Sequence, residues 1–318
     1  MNRISSAGRF GMLLLLTLAI VSMAVGQPAL RKALDFDGDA KADYIIFRPS
    51  DSTWYILKSS GSITAQPFGI ANEDYPTPAD YDGDGIGDIS VWRDTNGAWY
   101  RINSQGNTFS VVQWGQPGDE PVARDYDGDG KADLAVVRKS GGILTWYIYL
   151  IGSNSLFSQS FGQEGDFLAP GDYDGDGKFD LAVQRPGATA TSQSTFYILN
   201  GQGFQSYEWG LSRDLVAPGD YDGDGKTDLA VVREGATAAD VLTWYVLQSN
   251  GGITVQQWGV TGTDLLAQND YDGDGKTDLA IWRNSDGKFY QINSSDYSLN
   301  VWSWGLSNDM PVASYDTH

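Results

Sequence analysis

One stretch recurs six times and sets most of what this chain can become. In DYDGDGKTDLAVVR, Asp220 to Arg233, aspartates stand at positions 1, 3, 5 and 9 (Asp220, Asp222, Asp224 and Asp228) and glycines at positions 4 and 6. An apolar run follows, closed by an arginine. Near-copies begin at Asp35, Asp80, Asp125, Asp172 and Asp270, so successive first residues lie 45, 45, 47, 48 and 50 apart. A period in this range marks a repeat architecture, whose units cannot bury their apolar faces alone and must stack on neighbours.

Aligning the copies gives four strand-like pieces per unit. The first leads into the acidic loop, as in LVAPGDYD at 215–222. The second leaves it: Tyr44–Phe47, Ile89–Trp92, Leu134–Val137, Leu181–Gln184, Leu229–Val232 and Leu279–Trp282. These runs are apolar on both faces, which suits a strand buried between neighbouring sheets. An arginine follows each: Arg48, Arg93, Arg138, Arg185, Arg233 and Arg283. The third piece carries an aromatic pair, such as Trp54-Tyr55 or Phe196-Tyr197, and the fourth ends in Phe or Trp before Gly, from Phe68-Gly69 to Trp304-Gly305. One acid precedes each next loop (Asp74, Asp119, Asp166, Asp214, Asp264), with Asp309 as its near-equivalent before the last strand. Four antiparallel strands per period predict an all-β fold, a β-propeller of four-stranded blades. Six complete repeats make six blades the economical count, with seven as the alternative. Both Ala33–Asp37 and Met310–Asp316 read as first strands, so one of them is surplus or completes a blade.

The spacing of the acids is that of a hard-cation site. Carboxylates at positions 1, 3 and 5 converge when the loop curls, the carbonyl at 7 points inward, and Gly at 6 permits the bend. The expected ligands are Asp35, Asp37, Asp39 and Asp43; Asp80, Asp82, Asp84 and Asp88; Asp125, Asp127, Asp129 and Asp133; Asp172, Asp174, Asp176 and Asp180; Asp220, Asp222, Asp224 and Asp228; and Asp270, Asp272, Asp274 and Asp278. Calcium fits this oxygen-only set better than magnesium, and up to six structural ions are expected. No glutamate stands at position 12, where the reference copy has Val231, so affinities near about 10⁻⁴–10⁻³ M follow. In the first loop Ala40 replaces the position-6 glycine, which marks that site as the weakest.

Charge agrees. The chain carries a net −20, and the 24 loop aspartates are most of its 41 acids; the other 17 face 21 Lys and Arg. The acidity therefore sits in the loops, and nothing offers the basic face that nucleic acid needs. With no Cys and a single His, His318, thiol catalysis and Cys/His zinc sites are excluded.

Residues 1–26 read as a secretory signal: Arg3 and Arg9, an apolar segment from Phe10 to Val25, and Ala24-Val25-Gly26 before a cut at Gln27. The apolar segment, about 16 residues, is short for an uncleaved anchor. The mature domain is then 27–318, secreted to the extracellular medium or periplasm, without a membrane span and monomeric.

The acidic loop, the APGD before it and the Phe/Trp-Gly that ends each unit resemble FG-GAP repeats, classed with VCBS-type repeats of secreted bacterial proteins. Similar repeats build the β-propeller of integrin α chains. The resemblance implies that the loop joins the first and second strands of a blade and binds calcium, and that the protein serves adhesion or recognition. The units are shorter than integrin blades, so blade count is not carried over. The sequence therefore favours a calcium-stabilised binding module for an extracellular protein or glycan, and not an enzyme. A carbohydrate-active propeller (hydrolase or lyase) and a structural cell-surface module are the alternatives. Acids outside the repeating positions, such as Asp51, Glu120, Glu208 and Asp286, are scattered and form no catalytic motif. The gap from Arg to the aromatic pair runs 6, 6, 8, 11, 11 and 6, so loops 187–194 and 235–241 are the expected partner-contact segments. Phe109, Tyr149, Phe157 and Tyr207 are further candidates because they stand outside the repeat.

Overall fold

A computed structural model describes residues 33–313, and the stretch 1–26, read above as a secretory signal, lies outside them. Six four-stranded antiparallel sheets form a ring, a six-bladed β-propeller. In blade 2 the order from axis to rim is Asp74–Pro76, Ile89–Arg93, Ala98–Ile102 and Phe109–Gln113. Blades 3 to 6 follow the same order, beginning with Glu120–Pro121, Phe167–Leu168, Leu215–Val216 and Asp264–Leu266.

Blade 1 differs, and this settles the question of the ends. Its second to fourth strands are Tyr44–Arg48, Thr53–Leu57 and Ile63–Pro67, but its innermost strand is Met310–Pro311 from the other end of the chain. Met310 pairs with Phe47 and Pro311 with Ile46, and the Val312 amide donates to the Ile45 carbonyl at 3.0 Å. Ala33–Asp37 is not a strand. Ala33 and Leu34 form a helical turn, and Leu34 accepts from the Asp43 amide at 2.8 Å. That bond corresponds to the Ala79–Asp88 bridge of blade 2. The two ends thus share one inner strand, with residues 310–312 giving the ladder and residue 34 the entry to the loop.

The second strands are buried on both faces, as their unbroken apolar runs require. The core lies between blades: Trp146 and Ile148 of blade 3 pack with Leu181 and Val183 of blade 4. Each fully buried side chain of this size contributes about 1.5–3 kcal/mol. The first member of every aromatic pair (Trp54, Trp99, Trp146, Phe196, Trp244, Phe289) is buried here.

The closing aromatics join blades in two ways. Trp114, Trp209, Trp258 and Trp304 donate through Nε1 to the carbonyls of Tyr147, Tyr245, Tyr290 and Tyr55 in the next blade, at 3.2, 3.4, 3.4 and 3.1 Å. Phe68 and Phe161 have no donor. There the next blade supplies a ring instead, Phe109 at 6.3 Å from Phe68 and Phe204 at 6.4 Å from Phe161. Phe109 thus packs edge-on against the preceding blade while staying 62% exposed. Tyr149 likewise packs on Trp114 at 5.8 Å. Phe157 and Tyr207 remain substantially exposed.

Each repeated arginine forms a two-point pair with the acid before the loop and lies over the second aromatic. Arg93 binds Asp74 through Nε at 2.6 Å and NH2 at 2.9 Å and sits 4.2 Å above the Tyr100 ring. The same holds for Arg138 with Asp119 and Tyr147, Arg185 with Asp166 and Tyr197, Arg233 with Asp214 and Tyr245, and Arg283 with Asp264 and Tyr290. The planar guanidinium suits both tasks, and a recurring arginine marks blade architecture here.

Candidate metal sites

Five of the acidic loops connect inner to second strands and the blade-1 loop leads into its second strand at the same end, so they share one face of the disc. In blade 5 the Asp220 carboxylate accepts from the amides of Gly223 (2.6 Å) and Gly225 (2.9 Å). Asp222 accepts from the Asp224 amide at 3.1 Å, and Asp224 from the Lys226 amide at 2.9 Å. Asp228 accepts from the amides of Tyr221 at 2.9 Å and Ser249 at 2.7 Å. The glycines at positions 4 and 6 take φ of +80° and +86°, which lets both amides turn toward Asp220.

This curl brings positions 1, 3 and 9 together. One oxygen from each of Asp80, Asp82 and Asp88 lies within 4.8 Å of the others, and Asp125, Asp127 and Asp133, Asp172, Asp174 and Asp180, and Asp220, Asp222 and Asp228 do the same. Blade 1 gathers Asp35, Asp37 and Asp39 instead, positions 1, 3 and 5. There Asp37 Oδ1 is buried without a hydrogen-bond partner. Ala40 adopts φ +68°, and its amide reaches Asp35 at 2.8 Å just as the glycines do elsewhere. The loop keeps its path at the cost of left-handed strain, of order 1–2 kcal/mol. The position-5 carboxylates Asp39, Asp84, Asp224 and Asp274 accept from the hydroxyls of Ser59, Ser104, Ser249 and Ser294 in the neighbouring turn.

Two features escaped the sequence pattern. The first is a serine in the turn between third and fourth strands. Ser59, Ser104, Ser249 and Ser294 donate their amides to Asp43, Asp88, Asp228 and Asp278 at 2.8, 2.6, 2.7 and 2.7 Å. The recurrence of KSS, NSQ, QSN and NSS at this turn was the available signal. The second is the tyrosine at position 2. Tyr81, Tyr126, Tyr173, Tyr221 and Tyr271 each donate to a carbonyl four residues back, tying loop to inner strand.

The loops also hold one another. The carbonyl at position 1 accepts from the amide at position 8 of the next loop: Gly87 to Asp35, Ala132 to Asp80, Phe179 to Asp125, Thr227 to Asp172 and Thr277 to Asp220, at 2.6 to 2.8 Å. Ala42 to Asp270, at 2.8 Å, closes the circle. Over the position-4 glycines lie the stems of Lys131, Lys178, Lys226, Lys276 and Lys41 from the following loop.

The electrostatics call for a cation. Burial pushes the position-9 carboxyls up, Asp43, Asp133, Asp228 and Asp278 to about 7, Asp88 to about 6 and Asp180 to about 8. Neighbouring aspartates push the same way, while backbone amides pull part of the shift back. Buried like charges around one point are unfavourable unless a positive ion sits among them. An all-oxygen donor set with preset backbone fits a divalent cation of the calcium kind.

Residues 35–91, 80–136 and 125–183 each match the FG-GAP-like repeat model, every match running from one loop into the next blade's second strand. Residues 35–183 carry FG-GAP-like repeats. No curated protein matches it. Solved propellers resemble it in fold: TolB from Acinetobacter baumannii has a TM-score of 0.56 at 15% identity over 83% of this chain and 64% of that one, so this chain spans under two thirds of TolB. Weaker likenesses are virginiamycin B lyase from Staphylococcus aureus (TM-score 0.48, 10% identity, 85% and 86% covered) and the periplasmic gluconolactonase PpgL of Pseudomonas aeruginosa (0.43, 11%, 85% and 99%). Identities this low show the fold alone. Among the described residues no helix is long and apolar enough to cross a membrane.

The two long loops lie on the face opposite the acidic loops, because they join second to third strands. Both are tied down. The Ser212 hydroxyl donates to the Ser192 carbonyl at 3.0 Å, and the Thr261 amide to the Asp240 carbonyl at 2.8 Å. Gln193, Ser194 and Val241 belong to the following strands.

Proposed function

We propose that the protein is a secreted, calcium-stabilised propeller that acts as a recognition module for an extracellular protein or glycan. The observation that carries this reading is the closed circle of six loops. Every blade contributes one, each touches the next, and each presents buried carboxylates. Six equivalent sites spread around a ring suit a structural ion, whose binding energy adds to folding energy. The 24 aspartates named above are its ligands, with position 9 closing the shell.

Several acids outside the repeating positions serve their own turns or nearby side chains, which supports binding over catalysis. Asp51 accepts from Tyr55, Asp286 from Tyr290, Asp94 from the Gly118 amide, and Glu120 pairs with Lys139. The two ordered loops in blades 4 and 5 offer a surface that the other blades lack. The sequence of residues 1–26 supports export to a calcium-rich medium.

Native mass spectrometry of the mature chain tests the metal reading. It should retain up to six calcium ions, and magnesium at equal concentration should not replace them. A chain that keeps no calcium, or that hydrolyses a glycan with purified-enzyme turnover, overturns the proposal.

A further inference from the structure

The clefts between blades on the acidic-loop face are not equivalent. Between blades 6 and 1, Tyr44 stacks flat on Tyr271 at 4.8 Å and donates to Gln291 at 2.5 Å, filling the space. In blade 2 the buried Arg101 lies 4.8 Å over the Tyr81 ring. Register places Ile198 of blade 4 where Arg101 and Gln291 stand, and Leu229 of blade 5 where Tyr44 stands. Aliphatic pairs also stand at this register between blades 1 and 2 (Ile56, Ile89), 3 and 4 (Ile148, Leu181) and 5 and 6 (Val246, Leu279), so what sets blades 4 and 5 apart is the lining of the cleft of about 380 Å³ between them, within the roughly 300–1,000 Å³ of small-molecule sites.

We propose that this cleft binds a neutral saccharide. The inference rests on the recognition-module reading and names its ligand class. Three primary amides, Gln202, Gln205 and Gln248, line the cleft; each both donates and accepts, the pairing that neighbouring sugar hydroxyls require. Tyr207 adds an aromatic ring, 42% exposed, whose hydroxyl is held by Gln205 at 2.8 Å. Such a ring offers an apolar face to sugar C–H groups and a polar edge to their hydroxyls. Thr227, at the cleft wall, is 2% exposed and its Oγ1 has no hydrogen-bond partner. Among the lining residues that belong to neither acidic loop, the three glutamines and Tyr207 offer neutral hydrogen-bonding groups, which suits a ligand without net charge. None of the three glutamines or Tyr207 belongs to the repeating pattern, so nothing in blade architecture calls for them here.

Saturation-transfer NMR on the full mature chain in calcium tests this. The probes are glucose, galactose, mannose, N-acetylglucosamine and maltose, with glucuronate as a charged counterpart. At least one neutral sugar should give a signal, and Gln205→Ala and Tyr207→Ala should each weaken its binding at least 10-fold without lowering the melting temperature. If either variant fails to fold, Gln202→Ala, on an exposed turn, decides. No neutral sugar bound, binding unchanged in the variants, or glucuronate bound alone overturns the inference. The calcium reading is scored separately by chelation, so failure of one is not failure of the other.

Discussion

Arg48 grips Asp309 through two hydrogen bonds of 2.8 Å, Nε to Oδ1 and NH2 to Oδ2, across 261 residues of chain. In the other five blades the same pair spans 19 residues. A local fastening has become the latch of the ring. It acts with the Met310–Pro311 strand, the Trp304 bond to Tyr55 and the Ala42 bond to Asp270.

Arg48→Met should therefore cost about 3–5 kcal/mol, because it leaves the Asp309 carboxylate buried without its partner. Arg138→Met should cost a similar amount, and deleting residues 309–318 should lower the unfolding midpoint further, because it also removes the inner strand of blade 1. Urea unfolding followed by tryptophan fluorescence checks both. A truncated chain that unfolds in one transition of unchanged midpoint would refute the closure.

Trp304→Phe removes one inter-blade hydrogen bond and should cost about 1 kcal/mol. The double change Trp304→Phe with Ile63→Phe should recover part of that, because Ile63 stands at the register position of Phe109 and Phe204. Thermal melts of the three variants give the coupling.

Backbone strain predicts opposite signs at equivalent positions. Ala40→Gly should stabilise by about 0.5–1 kcal/mol, relief of left-handed strain less the added freedom of the unfolded chain. Gly130→Ala should destabilise by about 1 kcal/mol through φ +88° alone, since a Cβ there meets nothing within 4 Å. Equal effects of the two substitutions would contradict the account.

How much of this could be read beforehand follows from what repeats. The Asp220–Asp228 spacing, the arginines and the aromatic pairs recur, so their roles as loop ligands, acid partners and core showed in the sequence. The latch did not, because Ala33–Asp37 and Met310–Asp316 have equal claim to be a first strand by pattern. Only the ladder from Ile45 to Val312 separates them. The contact of Phe109 with Phe68 was hidden for a related reason: Phe68 belongs to the preceding blade, and inter-blade neighbours leave no mark in a period. The cleft beside Tyr207 is set apart by Gln202, Gln205 and Gln248, side chains outside the repeating pattern that no motif records.

The metal-free protein should lose stability as pH rises. The position-9 carboxyls hold protons up to about 6–8 when folded but release them near about 3.9 when unfolded, so the folded state binds more protons between those values. Their stabilisation is complete below about pH 4 and is lost by about pH 8. Saturating calcium, which holds the carboxylates ionised, should flatten this slope. Melting temperature against pH in chelator-treated buffer, with and without calcium, measures it.

The central claim, that calcium holds the ring of loops, is tested most directly by thermal unfolding of the mature chain in saturating calcium and in excess EDTA. A site filled at ten times its dissociation constant adds about 1.4 kcal/mol, and each kcal/mol raises the midpoint of a domain this size by about 2–4 °C. With six loops acting together, chelation should lower the melting temperature by more than about 10 °C, and restored calcium should return it. Superimposable melts in calcium and EDTA would contradict the account.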